Sequence, residues 1–194
     1  MRTISIIFIL QLNVFILFGQ NSQGYDKIGR FESGRAKVQV NGLHGIIDTE
    51  GKEIVVPKYE TIQAFKNNRA KVSIAKLWGM IDWDGKEIIP VEYEKIGYFS
   101  DRKARIYKNG KIGIIDWDGN IIVATKFDKI TDMDMGMLKV QSNGYWGIIS
   151  KDGKEIVSPK YEKIKNFESN RAKVYLNGKW GVIDRNGKEI VKVN

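Results

Sequence analysis

The sequence predicts an all-β protein built from tandem repeats. Five glycines, at positions 45, 79, 113, 147 and 181, recur at a constant spacing of 34 residues. Around them, short segments alternate apolar and polar residues, as half-buried strands do, and Asn-Gly and Asp-x-x-Gly turn signals separate these segments. A fixed period of this length is the signature of a repeat architecture.

The period divides the chain into a leader, residues 1–24, and a repeat domain, residues 25–194. The five repeats are residues 25–58, 59–92, 93–126, 127–160 and 161–194. Each repeat is predicted to be a meander of up to four short antiparallel strands. One meander cannot bury both of its faces, so the repeats are expected to stack, either as an open twisted solenoid or as a closed five-bladed β-propeller. Propeller blades commonly have roughly 40 to 50 residues, so the shorter period favours the open solenoid.

The clearest strand of the first repeat is residues 35–40, which read RAKVQV. Successive side chains of a strand point to opposite faces, so Ala36 and Val38 are predicted to be buried and the basic residues between them to face solvent. Four repeats then have Asn-Gly, which suits the positive φ angles of a type I′ turn. The second repeat has Ala75-Lys76, and its turn is expected to differ.

Three further features of the repeat make local predictions. The glycine beside the recurrent indole predicts a close backbone approach between neighbouring repeats. Asp48 to Gly51 and its equivalents predict type I turns with a left-handed glycine, and Pro57 is expected to end strand pairing or to lie at a sheet edge. Tyr59, Ile62 and Phe65 recur at a spacing of three, which fits a helical turn or a bulged strand, and the β surroundings favour the strand.

The leader has the features of a secretory signal peptide. Arg2 precedes a mostly apolar stretch from Ile4 to Phe18, and Ser22 to Gly24 offers small residues for cleavage. A retained membrane anchor is the alternative, but Gln11 and Asn13 interrupt a run shorter than the roughly 18 apolar residues expected of a span. The protein is therefore expected to be exported, and to be periplasmic, cell-surface or secreted, with no transmembrane span in the mature chain.

The repeated motif resembles that of a known family. Residues 179–184 read KWGVID, residues 187–191 read GKEIV, and Pro-Lys-Tyr occurs at 57–59 and 159–161. This combination resembles the bacterial WG-repeat family, also called KWG repeats, over residues 25–194. Tryptophan holds at positions 78, 146 and 180, with His44 and Ile112 in the other repeats. The resemblance implies a binding or interaction array, often exported, with no catalytic residues in its motif.

Composition and motifs narrow the chemistry further. The formal net charge of +9 favours acidic partners, and the absence of cysteine excludes disulfides and thiolate sites. His44, the only histidine, occupies a tryptophan position and is interpreted as a packing substitute. Asp82 to Gly85 resembles the start of a calcium loop but lacks the later oxygen ligands, so turn formation is the preferred interpretation. No metal and no cofactor is expected.

Two tryptophans, Trp83 and Trp117, lie at predicted turn tips outside the recurrent apolar positions. Neighbouring repeats present equivalent turns on one side, so these indoles could form a flat surface suited to sugars or peptides. Alternatively, each indole folds back over its own hairpin or covers a neighbour's core. The sequence leaves both interpretations open.

A recurrent set of basic residues lies on the outward face of the second strand. Its members are Arg35, Lys37, Arg69, Lys71, Lys103, Arg105, Lys139, Arg171 and Lys173. Stacking would align them into a basic ladder able to bind an acidic ligand by charge. The recurrent acids Asp26, Glu60, Glu94, Asp128 and Glu162 could instead neutralise the ladder as an ordinary solvated face, which is the favoured interpretation.

These observations predict an exported, non-enzymatic binding or scaffold module. Its repeats would offer a surface to a protein or to a cell-envelope glycan, possibly acidic, and nucleic acid is not expected as a partner of an exported protein. The alternative is a carbohydrate-active enzyme with paired carboxylates, since only two suitably spaced acids would be required. The acids largely follow the repeat, which favours a structural role for them. A structural element of a larger assembly is a third hypothesis.

Overall fold

The computed structural model describes residues 24–193, so the predicted leader lies outside the described residues except for Gly24. The described chain has twenty strands in five four-stranded antiparallel sheets, one for each repeat. Two compact units are distinguished, and among the described residues they comprise 24–58 and 59–193. The first sheet belongs to the first unit except for its last residue, and the second to fifth sheets belong to the second unit.

The strands of each sheet follow chain order. The first sheet has β1 (Lys27–Ile28), β2 (Arg35–Val40), β3 (Leu43–Asp48) and β4 (Glu53–Tyr59); the second has β5 (Thr61–Ile62), β6 (Arg69–Ile74), β7 (Leu77–Asp82) and β8 (Glu87–Tyr93). The third has β9 (Lys95–Ile96), β10 (Lys103–Lys108), β11 (Lys111–Asp116) and β12 (Ile121–Phe127). The fourth has β13 (Lys129–Met133), a 3-10 turn (Asp134–Gly136), β14 (Met137–Ser142), β15 (Tyr145–Ser150) and β16 (Glu155–Tyr161). The fifth has β17 (Lys163–Ile164), β18 (Arg171–Leu176), β19 (Lys179–Asp184) and β20 (Glu189–Val191).

The predicted all-β fold of five tandem antiparallel meanders is confirmed. Each described sheet is an open meander with two end strands, and none of them closes into a barrel. Within the second compact unit, the cores lie between consecutive sheets. Met80 and Ile89 of the second sheet, for example, pack with Ala104, Ile106 and Ile115 of the third. Within residues 59–194, the repeats therefore bury their apolar faces against their sequence neighbours, as the open repeat array predicts.

The register of the second strand is the predicted one. Ala36 and Val38 are buried in β2, and the next hairpin has Asn41 and Gly42 at φ values of 49° and 81°. The different turn expected in the second repeat is wrong. Ala75 and Lys76 adopt φ values of 49° and 64°, so the two-residue loop keeps its positive-φ conformation without its favoured residues.

The recurrent glycine approaches a strand of its own sheet, so the predicted approach between neighbouring repeats is wrong. Only Gly79 of β7 stands opposite the three residues of β8 between the pairs Met80–Ile89 and Trp78–Tyr93. A Cβ at Gly79 would lie 2.6 Å from the carbonyl oxygen of Ile89. The bulge of the edge strand thus requires a residue without a side chain. The prolines lie within these edge strands and do not end them.

The spacing of three in Tyr59, Ile62 and Phe65 arises from a change of sheet. Tyr59 ends β4 of the first sheet, and Ile62 ends β5 of the second, with Glu60 between them. The favoured single bulged strand is therefore wrong. From the second repeat onward, the aromatic at this position closes one sheet, and the next sheet begins two residues later.

A third tight turn in the repeat has no glycine in most copies. Lys66 and Arg69 form a two-way backbone hydrogen-bonded bridge around Asn67 and Asn68, whose φ values are 49° and 60°. Equivalent loops occur at 33–34, 101–102 and 169–170. The fourth repeat has a longer β13 and the 3-10 turn in place of this loop, so this segment differs from its equivalents in the other repeats.

Candidate functional site

The recurrent acids bind the hairpin loops of their own repeats. The backbone N–H of Asn109 donates to Glu94 at 2.8 Å, and that of Asn177 donates to Glu162 at 2.9 Å. Equivalent bonds join Asn41 to Asp26, Lys76 to Glu60 and Asn143 to Asp128. A hydrogen bond from Lys111 and the Asn143 amide lower the pKa of the Asp128 carboxyl. These acids therefore fix turns. The structure assigns them this role in place of the predicted neutralisation of the basic ladder.

In the second repeat, the basic ladder faces the third repeat. Arg69 forms an ion pair with Asp118 of the third sheet at 2.9 Å, and its guanidinium lies 5.2 Å from the ring centre of Trp117. Lys71 donates to the carbonyl oxygens of Ile96 and Gly97 at 2.7 and 2.8 Å. These basic residues tie the second repeat to the third.

The same arrangement continues in the third and fourth repeats. Lys103 donates to Asp152 at 3.3 Å, Arg105 pairs with Asp132 at 2.9 Å, and Lys139 donates to the carbonyl of Ile164 at 3.4 Å. The remaining ladder residues are placed on β2 and β18: Arg35 is half-buried, and Lys37, Arg171 and Lys173 are exposed. Five of the seven ladder cations within residues 59–194 thus have structural partners, so the ladder is not a uniform charged binding face.

The two turn tryptophans each pack on a phenylalanine of their own repeat. Trp83 meets Phe65 edge-on with ring centres 4.8 Å apart, and Trp117 meets Phe99 at 4.6 Å. Trp117 also receives Arg69 from the preceding repeat. These contacts correspond to the interpretation in which each indole folds back, and they give no common platform. The binding role of Trp83 and Trp117 stays a prediction.

A pocket of about 560 Å³ lies between the second and third sheets. We name it the Tyr98 pocket, and its main lining residues are Lys71, Trp78, Lys95, Tyr98, Arg105 and Tyr107. Lys71 reaches it from β6 and Trp78 from β7, whereas Lys95 comes from β9 and Arg105 and Tyr107 from β10. Two ladder residues, Lys71 and Arg105, are therefore brought together with three aromatic rings.

The backbone of the third sheet positions the aromatic side of this pocket. Lys95 stands opposite Tyr107 in the β9–β10 ladder, and its ammonium lies 5.4 Å from the centre of that ring. Gly97 donates its N–H to Arg105 at 2.8 Å, and the chain leaves the sheet there. Tyr98 follows, and this residue is 98% exposed. An apolar ring held in solvent beside a rigid sheet is available to a ligand at little conformational cost.

The Tyr98 pocket has an excess of positive charge. Its described lining residues contribute three cations and no carboxylate, and only Arg105 has an acidic partner in an ion pair, Asp132. Burial, followed by repulsion from Lys95, lowers the pKa of Lys71 from its ordinary value. A bound anion would offset both causes, because it favours the protonated ammonium. The pocket is thus suited to an anionic group beside a flat or apolar surface.

The equivalent junctions of the second compact unit differ at the positions that form this pocket. The third-to-fourth junction has Ile112, Asp132 and Gln141 where the Tyr98 pocket has Trp78, Tyr98 and Tyr107. The fourth-to-fifth junction keeps its aromatic residues but has Asn166 in place of Tyr98. The fold therefore accepts other residues at these positions.

Sequence reasoning did not select Tyr98. The available signal was the comparison of equivalent positions: residues 30, 64, 98, 132 and 166 are Arg, Ala, Tyr, Asp and Asn. A large aromatic at a variable position of a repeat is not required by packing. Trp83 and Trp117 show the same signal, and exposure distinguishes them from Tyr98, since both indoles are half-buried whereas Tyr98 is exposed.

Two other residues discussed in the sequence analysis, His44 and Asp82, lie in a strand and at a turn. His44 lies in β3 opposite Gln39, and the Asp82 carboxylate accepts backbone N–H bonds from Asp84 and Lys86, as a turn residue does. Among residues 24–193, no group of three or more His, Cys, Asp or Glu side chains is placed to hold a metal ion. The described part of the chain contains no helix long and apolar enough to cross a membrane.

The solved structures that match this chain share little sequence with it and have low TM-scores. Hsv2 from Kluyveromyces lactis is 16% identical, with a TM-score of 0.33, and the match covers 81% of this chain and 59% of that one. PorZ, an essential bacterial surface component of the type-IX secretion system of Porphyromonas gingivalis, is 12% identical, with a TM-score of 0.31 and coverage of 85% and 26%. The chain thus spans less than two thirds of the length of either structure. No curated protein matches.

The family comparison covers nearly the whole described chain. The model of the WG containing repeat matches residues 24–43, 45–78, 78–111, 112–146, 146–180 and 180–193. These matches follow the same period as the five sheets, although they begin at a different point of the repeat. The chain belongs to the WG containing repeat family.

Proposed function

We propose that this protein is an exported, non-enzymatic binding module that recognises an acidic cell-envelope glycan at the Tyr98 pocket. The observation that supports the proposal most directly is that the recurrent residues hold the repeat structure, whereas the variable residue Tyr98 does not. Recurrent acids, glycines and most ladder cations hold turns, bulges and repeat junctions. The variable residue Tyr98 instead gives an exposed ring beside unneutralised cations.

The chemistry of the pocket favours an acidic sugar over a small inorganic anion. Sugar rings present C–H faces that pack on aromatic rings, and a uronate carboxylate would accept hydrogen bonds from ammonium groups. Tyr98 and Trp78 provide the aromatic surface, and Lys71 and Lys95 provide the charge. Export is proposed from the pattern of residues 1–24, and it would bring the protein into contact with envelope polysaccharides.

The first test is calorimetric titration of the full chain with polygalacturonate, dextran and polyglutamate. Binding of polygalacturonate, with weaker binding of the other two, is expected, because only that polymer combines sugar rings with carboxylates. Equal binding of polyglutamate would show that charge alone is recognised and would favour an acidic protein partner. If neither polygalacturonate nor hyaluronan, a second polysaccharide that carries carboxylates, binds, the proposed function is overturned.

Two matched pairs of variants locate the site. Tyr98→Asn reproduces the residue of the fifth repeat and is expected to weaken binding about 3- to 10-fold, the range of a lost aromatic contact. Tyr145→Asn removes another exposed ring, outside the pocket, and should leave binding unchanged. Lys95→Gln should weaken binding, whereas Lys129→Gln, at the equivalent position of the fourth repeat, should not. Equal effects within either pair would place the site elsewhere.

A further inference from the structure

Tyr98 separates the pocket from a second cavity of about 330 Å³ between the third and fourth sheets. We name this cavity the Asp101 cleft, and its polar lining includes Ser100, Asp101, Lys103, Arg105, Asp132 and Lys151. Tyr98 and Arg105 line both cavities. A ligand that packs on the exposed ring of Tyr98 is therefore adjacent to both.

The two cavities differ in electrostatic character. In the Asp101 cleft, Arg105 is paired with Asp132 at 2.9 Å, and Lys103 is paired with Asp152 at 3.3 Å. Asp101 adds a carboxylate to the lining. The charges of the cleft thus largely cancel, whereas the Tyr98 pocket has cations without a lining carboxylate. A second anionic group placed in the cleft would lie beside Asp101 and Asp132 and would add little binding free energy.

The cleft nevertheless contains many hydrogen-bonding groups. The hydroxyl of Ser100, the carboxylates of Asp101 and Asp132 and the ammonium of Lys151 can accept from or donate to neutral hydroxyls. Mixed donors and acceptors with little net charge are suited to an uncharged sugar. The two cavities on either side of one exposed ring therefore favour different neighbouring sugars of one chain.

We propose that the ligand is a polysaccharide in which acidic and neutral sugars alternate. The acidic sugar occupies the Tyr98 pocket, the neutral sugar occupies the Asp101 cleft, and the linkage between them passes over Tyr98. This inference rests on the proposed function and specifies its ligand class. A uniformly acidic chain binds less well, because its second carboxylate lies beside Asp101 and Asp132.

The test compares hyaluronan oligosaccharides, in which glucuronate alternates with a neutral amino sugar, with oligogalacturonates of the same length. Calorimetry on the full chain at fixed salt is expected to show at least about 5-fold tighter binding of the alternating tetrasaccharide. The variant Asp101→Asn is the key control, since the equivalent position 67 is already Asn, also at a φ value of 49°. It should improve binding of the oligogalacturonate and leave the alternating chain nearly unchanged.

The outcomes separate the two proposals. If both oligosaccharides bind with equal affinity, or if the oligogalacturonate binds more tightly, the alternating-ligand inference is overturned and the acidic-glycan function stands. If Asp101→Asn changes both affinities by the same factor, the cleft does not distinguish the sugars and the inference fails. If neither the oligosaccharides nor polygalacturonate binds, both proposals fail together.

Discussion

Replacing Gly113 by alanine tests whether the recurrent glycine is required by the bulge inside each sheet. A Cβ at this position would lie 2.5 Å from the carbonyl oxygen of Val123 and 2.9 Å from backbone atoms of Ala124 and Thr125. Ordinary contacts begin at 3.4 Å, so β12 would have to move by about 0.9 Å relative to β11. All three neighbours are backbone atoms, which cannot avoid the methyl group by changing a rotamer. Overpacking of this kind costs about 3 kcal/mol of unfolding free energy.

Gly110 provides the matched control, since it lies three residues away and its constraint is different. Its φ is +67°, and nothing lies within 4 Å of a Cβ built there. Alanine at this position is expected to cost only about 1 kcal/mol, the penalty of a left-handed conformation. Urea unfolding followed by tryptophan fluorescence and by circular dichroism measures both variants, provided that the two probes give coincident transitions. If Gly113→Ala is as stable as Gly110→Ala, the steric explanation of the repeat glycine is wrong.

Three further predictions follow from local contacts. Lys76→Gly should stabilise the protein by about 0.5 kcal/mol, because glycine tolerates the positive φ of that loop; a lower urea midpoint would contradict this. Arg69→Gln should cost about 1 to 2 kcal/mol of unfolding free energy, because the half-buried guanidinium ties two repeats together. The control Arg102→Gln removes an exposed partner of the same Asp118 carboxylate and should cost under about 0.5 kcal/mol in the same assay. Partial burial raises the pKa of Asp116, but its hydrogen bonds outweigh this and leave the pKa below its usual value. The resulting stability is present above the unfolded pKa and is lost as the pH falls through the lower folded pKa. Asp116→Asn should therefore make the unfolding free energy less dependent on pH below pH 4. An unchanged pH dependence would exclude this carboxyl as a cause of the acid destabilisation.

The periodic part of the fold could be predicted from the sequence because the same physical requirement recurs in every copy. Asn-Gly marks a positive-φ loop, alternation marks a half-buried strand, and a fixed period marks stacking. The loop at Ala75-Lys76 shows the limit of this reasoning. There the paired strands and the acceptor Glu60 impose the turn on residues that do not favour it. Local sequence therefore does not determine a turn when the neighbouring structure already does.

The candidate site was only partly predictable, because two of its properties depend on contacts between repeats. The sequence identified Lys71 and Arg105 as members of a basic face, but it could not show that this face meets the next repeat. Nor could it show that Trp117 packs on Phe99 within its own repeat. Tandem copies align equivalent residues, yet which face they present to a neighbour depends on the stacking direction of the sheets.

The orientation of the basic face explains how a repeat array can separate stability from recognition. Because Lys71 binds the carbonyls of Ile96 and Gly97, its side chain holds the junction while its charge is not cancelled by a carboxylate. At Arg105, by contrast, the ion pair with Asp132 cancels most of the charge. A junction can therefore be tied equally well with or without net charge, and the choice determines whether it attracts an anion. One variable aromatic residue, Tyr98, then suffices to turn a charged junction into a candidate binding site without disturbing the repeat.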